Sequence, residues 1–339
     1  MMKKLLLSLL VLLLCACHSE ESFFKMRGVV LSVHDLETVD WPSLAAENGI
    51  NTIGTHVTPK EVEAFIKSEK GQKFLADCNK YGIQVEHQLH AIHELLPREL
   101  FSEDSTLFRM DENGNRVADF NCCASSSKAL DIIAENAIHY AKLLPSTNHR
   151  YYYWLDDGAP LCFCPECAHL SGSEQALMIE NRIIQGLKTI DPKAQLAHLA
   201  YHTTMEAPKK VKPADGIFLE FAPFYRSWEK PLSDESASGR GMTHAENVRF
   251  LEDNLKVFPA ETAVVLEYWL DVSLFSDWKK PAVKLPWHPD VFMSDLKTYA
   301  GFGIKNITSF AVYMDDRYWQ QYPDQTFLKD YGEGMKRLQ

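Results

Sequence analysis

The stretch YYYWLDDGAPLCFCPECAHL, residues 151–170, runs from four aromatics into two adjacent acids and then three cysteines within six positions. Tyr151, Tyr152, Tyr153, Trp154 and Leu155 read as a buried strand, because aromatic residues suit a pleated surface and the run is short for a helix. The run stops at Asp156-Asp157-Gly158. Chemistry carried here would therefore sit at the C-terminal tip of a strand, where sheets and barrels of the α/β class keep their sites.

Outward from this strand the same alternation repeats. Strand-like runs fall at 26–34, 51–57, 83–90, 150–156, 194–202, 216–223, 262–271 and 306–315. Between most of them lie segments such as PKEVEAFIKSEKGQKFLADCNKYG, SKALDIIAENAIHYAKLLP and SEQALMIENRIIQGLKTI, whose apolar residues recur at three- and four-residue intervals, the mark of amphipathic helices. Eight strands separated mainly by helices predict a single (β/α)8 TIM barrel of the α/β class rather than an open sheet. Only the fifth-to-sixth connection looks poor in helix. No repeat, low-complexity tract or long linker marks a domain boundary.

The N-terminus, MMKKLLLSLLVLLLCAC, has a basic start and an apolar run from Leu5 to Leu14, which is an export signal rather than a membrane span. Leu14-Cys15-Ala16-Cys17 resembles the lipobox of bacterial lipoproteins. The expected organisation is a signal over 1–17, a short tether over 18–25 and the barrel over 26–339, with lipid on Cys17 as the one membrane contact. The expected location is the cell envelope, as an outer-membrane lipoprotein on either side. The net charge of −11 and pI near 5.6 argue against nucleic acid or an anionic lipid surface, which need a clustered basic excess.

A barrel gathers its functional groups at the C-terminal ends of its strands. Those ends carry His34, Asp35, His56, Glu86, His87, His90, Asp156, Asp157, His202, Glu220, Glu267, Asp271, Asp315 and Asp316. Aromatics accompany them, among them Tyr201, Phe224, Tyr225, Trp228, Tyr268, Trp269 and Tyr313. A cleft of acids and flat rings suits sugars, whose hydroxyls need hydrogen-bond partners and whose C–H faces stack on aromatics.

Glycosidic cleavage needs two carboxyls flanking one bond. Asp157 or Asp156 on the fourth strand could face Glu267 or Glu220 across the mouth. Adjacent acids cannot both point inward from one strand, so one of Asp156 and Asp157 is expected at the site and the other in a loop or cap. His34, His56, Glu86, His90, His202, Tyr201, Trp228, Trp269, Tyr313 and Asp315 are the expected substrate contacts. The function expected is a glycoside hydrolase that requires no cofactor and takes a carbohydrate ligand. The alternative is a barrel lipoprotein that binds glycans without turning them over. A metal-dependent hydrolase on His34, His56, His87 or His90 lacks the usual His-x-His pair on the first strand.

The segment LFRMDENGNRVADFNCCASSSKALDIIAENAIHYAKLLP, followed by WLDDGAPLCFCPEC, resembles a glycosidase-like TIM-barrel domain of unknown function common in Bacteroidota secreted proteins. That domain is distantly similar to α-glucuronidase and hexosaminidase barrels. The resemblance rests on Gly114-Asn115-Arg116, on Cys122 or Cys123, on Asp157-Gly158, and on Cys162, Cys164 and Cys167. Cysteines at Cys-x-Cys-x-x-Cys spacing can wrap one structural zinc if His169, Cys122 or Cys123 supplies a fourth ligand. In an oxidising envelope the competing reading is a disulfide or a free thiol. Cys78 reads as core packing.

Overall fold

The expected strand runs pair in parallel. In the computed structural model, which describes residues 22–338, the strands are β1 Met26–Ser32, β2 Thr52–His56, β3 Gln84–His90, β4 Arg150–Trp154, β5 Gln195–Ala200, β6 Ile217–Phe221, β7 Val264–Glu267 and β8 Asn306–Phe310. The expected signal and lipobox, with Cys17, lie outside the described residues. Each strand pairs with its neighbours in chain order, and β8 returns to β1 with Met26 to Val30 opposite Asn306 to Phe310. The result is one closed (β/α)8 TIM barrel. Its interior is tight enough that a Cβ on Gly28 would stand 2.7 Å from Thr308 Cγ2.

The outer layer follows the helical spacing read in the sequence. Ser127–Leu143 buries Ala129, Ile133, Ala137 and Tyr140, and Gly172–Leu187 buries Ala176, Glu180, Ile183 and Leu187. These three- and four-residue steps put one stripe of each helix on the barrel wall. Helix starts are fixed locally by reciprocal capping boxes, Ser171 with Glu174 and Thr243 with Glu246, each cap contributing about 1 kcal/mol. The β5–β6 connection holds only the 3-10 turn His202–Thr204 among the described residues. No helix among the described residues is long and apolar enough to cross a membrane.

The tether expected over 18–25 is shorter in the fold. Phe24 is fully buried, Lys25 N–H donates to the Lys305 carbonyl at 2.8 Å, and Ser22 Oγ donates to the Met335 carbonyl at 3.0 Å. Burying the Phe24 ring stabilises this segment by about 1.5–3 kcal/mol, which helps to hold residues that lack secondary structure of their own.

Candidate functional site

A cavity of about 300 Å3 opens at the C-terminal ends of the strands, at the small end of the range for ligand sites. His56, His90, Trp154 and Phe310, each the last residue of its strand, meet there with Asp157, Tyr201, Tyr268 and Asp271 from the loops beyond. A side recess of about 30 Å3, the size of one water, shares His90, Asp157 and Tyr201 with it.

The two histidines are held in one tautomer. His56 Nδ1 lies 2.8 Å from the Gln88 carbonyl and His90 Nδ1 lies 2.6 Å from the Leu155 carbonyl. A carbonyl only accepts, so each Nδ1 carries a hydrogen, and in the neutral ring Nε2 is the free acceptor. Burial, and then the neighbouring His90, pushes the His56 pKa down to about 3, so this imidazole stays neutral at physiological pH. The rings pack edge to face with centroids 5.7 Å apart, and His90 packs on Trp154 at 5.1 Å.

The adjacent acids both lie past the end of β4 and take different places. Asp156 is a loop clamp: its carboxylate accepts the His93 N–H at 2.9 Å and the Asn121 N–H at 2.6 Å, and its own N–H donates to Asn121 Oδ1 at 2.9 Å. Gly158, at φ +59°, then turns the chain in the left-handed region that favours glycine. Asp157 between them is exposed and lines both the cavity and the recess. Its charge, after burial, raises the pKa of Tyr201 beside it.

The carboxylates expected to face Asp157 do not line the cavity. Glu267 is fully buried on the outer side of β7, where it accepts from Arg226 Nη1 at 2.7 Å, Trp228 Nε1 at 3.3 Å and the Tyr299 hydroxyl. Arg226 Nη2 reaches Asp295 at 2.7 Å, which makes a buried two-acid, one-base knot. Glu220 faces the barrel interior beneath Trp154, whose Nε1 it accepts at 2.8 Å. Burial, then the charge of Glu86, pushes the Glu220 pKa well up. Glu86, expected as a substrate contact, is fully buried with its carboxylate on Asn148 Nδ2 at 2.6 Å.

Asp271 is the second carboxylate that does line the cavity. It lies four residues past the end of β7 and caps the short helix Val272–Phe275. Oδ1 accepts from Ser273 N–H at 3.1 Å, Ser273 Oγ at 2.6 Å and Leu274 N–H at 3.3 Å. These bonds favour the ionised form, but burial outweighs them and lifts the pKa to about 6. The cavity thus holds one open acid and one enclosed acid, and both charges act on Tyr268.

The aromatic wall differs from the expected one. Tyr201 and Tyr313 line the cavity, with Phe224, Tyr268, Phe310 and Trp278 beside them. Trp228 and Trp269 are buried, with Trp269 Nε1 donating to Asp295 at 3.0 Å, so neither is available to stack on a ligand. Trp278, which the sequence did not single out, is 52% exposed. The loop returns it to the mouth, with Trp278 N–H donating to the Ser273 carbonyl at 2.8 Å and the Tyr313 hydroxyl to the Trp278 carbonyl at 3.1 Å. Arg240 stacks over Trp278 at 5.3 Å and over Phe224 at 4.6 Å.

Three further expected contacts lie off the main cavity. Asp315 pairs with Lys280 and caps the helix Asp316–Gln321, accepting the Tyr318 N–H at 3.0 Å. Exposed His34 lies 3.4 Å from it. His202, also exposed, borders the side recess. Cys162, Cys164 and Cys167 are buried together with Cys123, all four sulfurs within 4.8 Å of one another. Exposed His169 turns its Nδ1 to the Pro165 carbonyl at 3.4 Å, and Cys122 is outside the cluster.

A family model described as a domain of unknown function, DUF4838, matches residues 45–266, more than half of the chain, from ahead of β2 into β7. The chain belongs to the DUF4838 family. No curated protein matches it. Among solved structures, this DUF4838 barrel is similar to a cold-adapted β-galactosidase from Rahnella sp. R3, at a TM-score of 0.56 and 11% identity over 94% of this chain and 57% of that one. It is also similar to a broad-specificity endoglucanase of glycoside hydrolase family 5 from an uncultured bacterium, at 0.51 and 11% over 89% and 85%. A family 5 enzyme from Prevotella bryantii B14, solved with a xyloglucan tetradecasaccharide, gives 0.50 and 12% over 88% and 87%. At these identities the likeness is one of fold: a DUF4838 barrel with the architecture of glycoside hydrolases.

Proposed function

We propose that this barrel is a glycoside hydrolase acting on an oligosaccharide or polysaccharide, with Asp271 as general acid and Asp157 as its partner carboxylate. The observation that carries the reading is the pairing of two acids in one cavity in opposite environments. Asp271 is enclosed, with a pKa raised to about 6 by burial, while Asp157 is open to water. Such a split is how one site supplies both a proton donor and an ionised carboxylate. With Oδ1 held by Ser273 and Leu274, the other oxygen of Asp271 would carry the proton toward the leaving group. Nε2 of His56 and of His90 would accept sugar hydroxyls, and Trp278 and Tyr268 would meet the C–H faces. The chemistry needs no cofactor. Carbohydrate is also the ligand of the xyloglucan-bound neighbour, and the reading for this chain rests on its own cavity.

The test is a panel of aryl glycosides and plant or host glycans offered to the full chain, with products analysed. Turnover is expected on at least one glycan, falling roughly 10²–10⁴-fold in Asp157→Asn and in Asp271→Asn while binding changes little. The alkaline limb of kcat/KM should follow the proton of Asp271, near the pKa of about 6. Binding without turnover in the wild type would reject the hydrolase and leave a glycan-binding barrel. The proposed location is the cell envelope, held by lipid on Cys17.

A further inference from the structure

We propose that Cys123, Cys162, Cys164 and Cys167 bind one structural zinc ion that anchors the loop carrying Asp157. The assignment does not depend on the hydrolase reading. Cys123 comes from the long β3–β4 connection and the other three from the turn after β4, so two distant segments converge on one point. All four sulfurs are buried and lie within 4.8 Å of one another, with Cys123 Sγ and Cys164 Sγ 3.6 Å apart. Four thiolates at about 2.3 Å around a tetrahedral zinc stand about 3.8 Å from each other, whereas a disulfide brings two sulfurs to about 2.05 Å and uses only a pair. The spacing leaves room for one ion, not for a multi-iron cluster. With sulfur at every corner there is no open position, so the role is structural.

The surroundings fit a thiolate-bound cation. The Met110 N–H points at Cys162 Sγ at 3.3 Å and Arg116 Nη1 lies 3.9 Å from the same sulfur. Ser125 Oγ is 3.2 Å from Cys123 Sγ and 3.5 Å from both Cys164 and Cys167. Four thiolates and one divalent ion carry a net charge of −2, and donors with a nearby guanidinium offset that excess.

The position explains what the ion would hold. Cys123 follows Asn121 by two residues, and Asn121 clamps Asp156 through both its N–H and its side chain and also donates to the Pro160 carbonyl at 3.1 Å. On the other side Gln175, from the helix Gly172–Leu187, accepts the Cys162 N–H at 3.1 Å and donates to the Cys162 and Cys167 carbonyls. The ion would close this circuit around residues 155–167.

The full chain, purified without added metal or chelator, is expected to contain one equivalent of zinc by elemental analysis. Exchange with cobalt(II) should give the sulfur-to-metal charge-transfer absorption and intense visible bands of a tetrahedral thiolate site. Cys123→Ser should lose the equivalent and become cleavable by protease within 155–167, while Cys122→Ser should keep both metal and protection. If Cys123→Ser does not fold, the wild-type metal content, the cobalt spectrum and Cys122→Ser still decide. Folded wild-type protein without metal, a mass showing disulfides among these four residues, iron in place of zinc, or loss of metal in Cys122→Ser alone would each overturn the assignment.

Discussion

Replacing Asp271 by asparagine should make the protein more stable at neutral pH while it removes the proposed acid. The native carboxyl has a pKa of about 6 against 3.8 for the unconstrained group, mainly because it is buried. That difference of about 2 units corresponds to about 3 kcal/mol. A folded acid whose pKa is raised keeps its proton after the unfolded chain has lost it. Stability therefore falls as pH climbs from about 4 to about 6, and the cost then persists at higher pH. The substituted asparagine would still accept from Ser273 and Leu274 through its amide oxygen and has nothing to ionise. Asp35, also raised to about 6 by burial, contributes with the same sign in both proteins, and because its charge is a lesser cause of the Asp271 shift, removing the Asp271 charge eases its ionisation and acts in the same direction. Urea unfolding of wild type and Asp271→Asn should coincide near pH 4 and diverge by up to about 3 kcal/mol in favour of the variant near pH 7. A variant equally or less stable near neutral pH would refute the claim that burial, rather than its hydrogen bonds, governs this carboxyl.

Trp278→Ala should weaken glycan binding by about 1–3 kcal/mol in calorimetry with little effect on stability, since the ring stands half in solvent at the mouth. Trp269→Ala should do the reverse and cost about 3–5 kcal/mol of stability, because its buried indole packs on Phe292 and donates to Asp295. Arg226→Ala leaves Glu267 and Asp295 buried without their cation and should cost about 3–5 kcal/mol in denaturant unfolding. Labelled palmitate should enter the wild type, and Cys17→Ala should abolish the labelling; unchanged incorporation would reject the lipobox.

The barrel was legible because its strands and helices differ in period. Runs such as RYYYW and NITSF are short, apolar and rich in aromatic or β-branched residues, and the segments between them bury every third or fourth position. Even the helix-poor β5–β6 connection showed, since no apolar periodicity separates Tyr201 from Gly216. Strand ends were less legible. Leu155 prolongs the aromatic run of β4, yet pairing stops at Trp154, and the run over 262–271 holds only the four-residue β7 because the chain turns away after Glu267. The Cys-x-Cys-x-x-Cys spacing showed three members of the thiol cluster. The fourth rested among His169, Cys122 and Cys123, which only the chain's path can separate.

The site was half legible for one physical reason: strands in this fold are buried on both faces, so hydrophobicity does not say which residues look into the barrel. In VVLEYWLD, Leu266 and Tyr268 line the cavity; alternation sends Glu267 to the helix layer, and Trp269, in the turn past β7, joins it there through its bond to Asp295. An acid there is tolerable only with a buried partner, and Arg226, from a loop 41 residues earlier, supplies it. Nothing local to Glu267 announces that partner. Asp271 lies beyond the last paired residue, where alternation no longer binds it, and the turn set by its bonds to Ser273 and Leu274 brings it back over the mouth. Asp157 escapes its strand in the same way, past Trp154 and just before the left-handed Gly158. In this barrel the acids that reach the cavity stand a few residues beyond their strands, and those still within the strands are spent on packing.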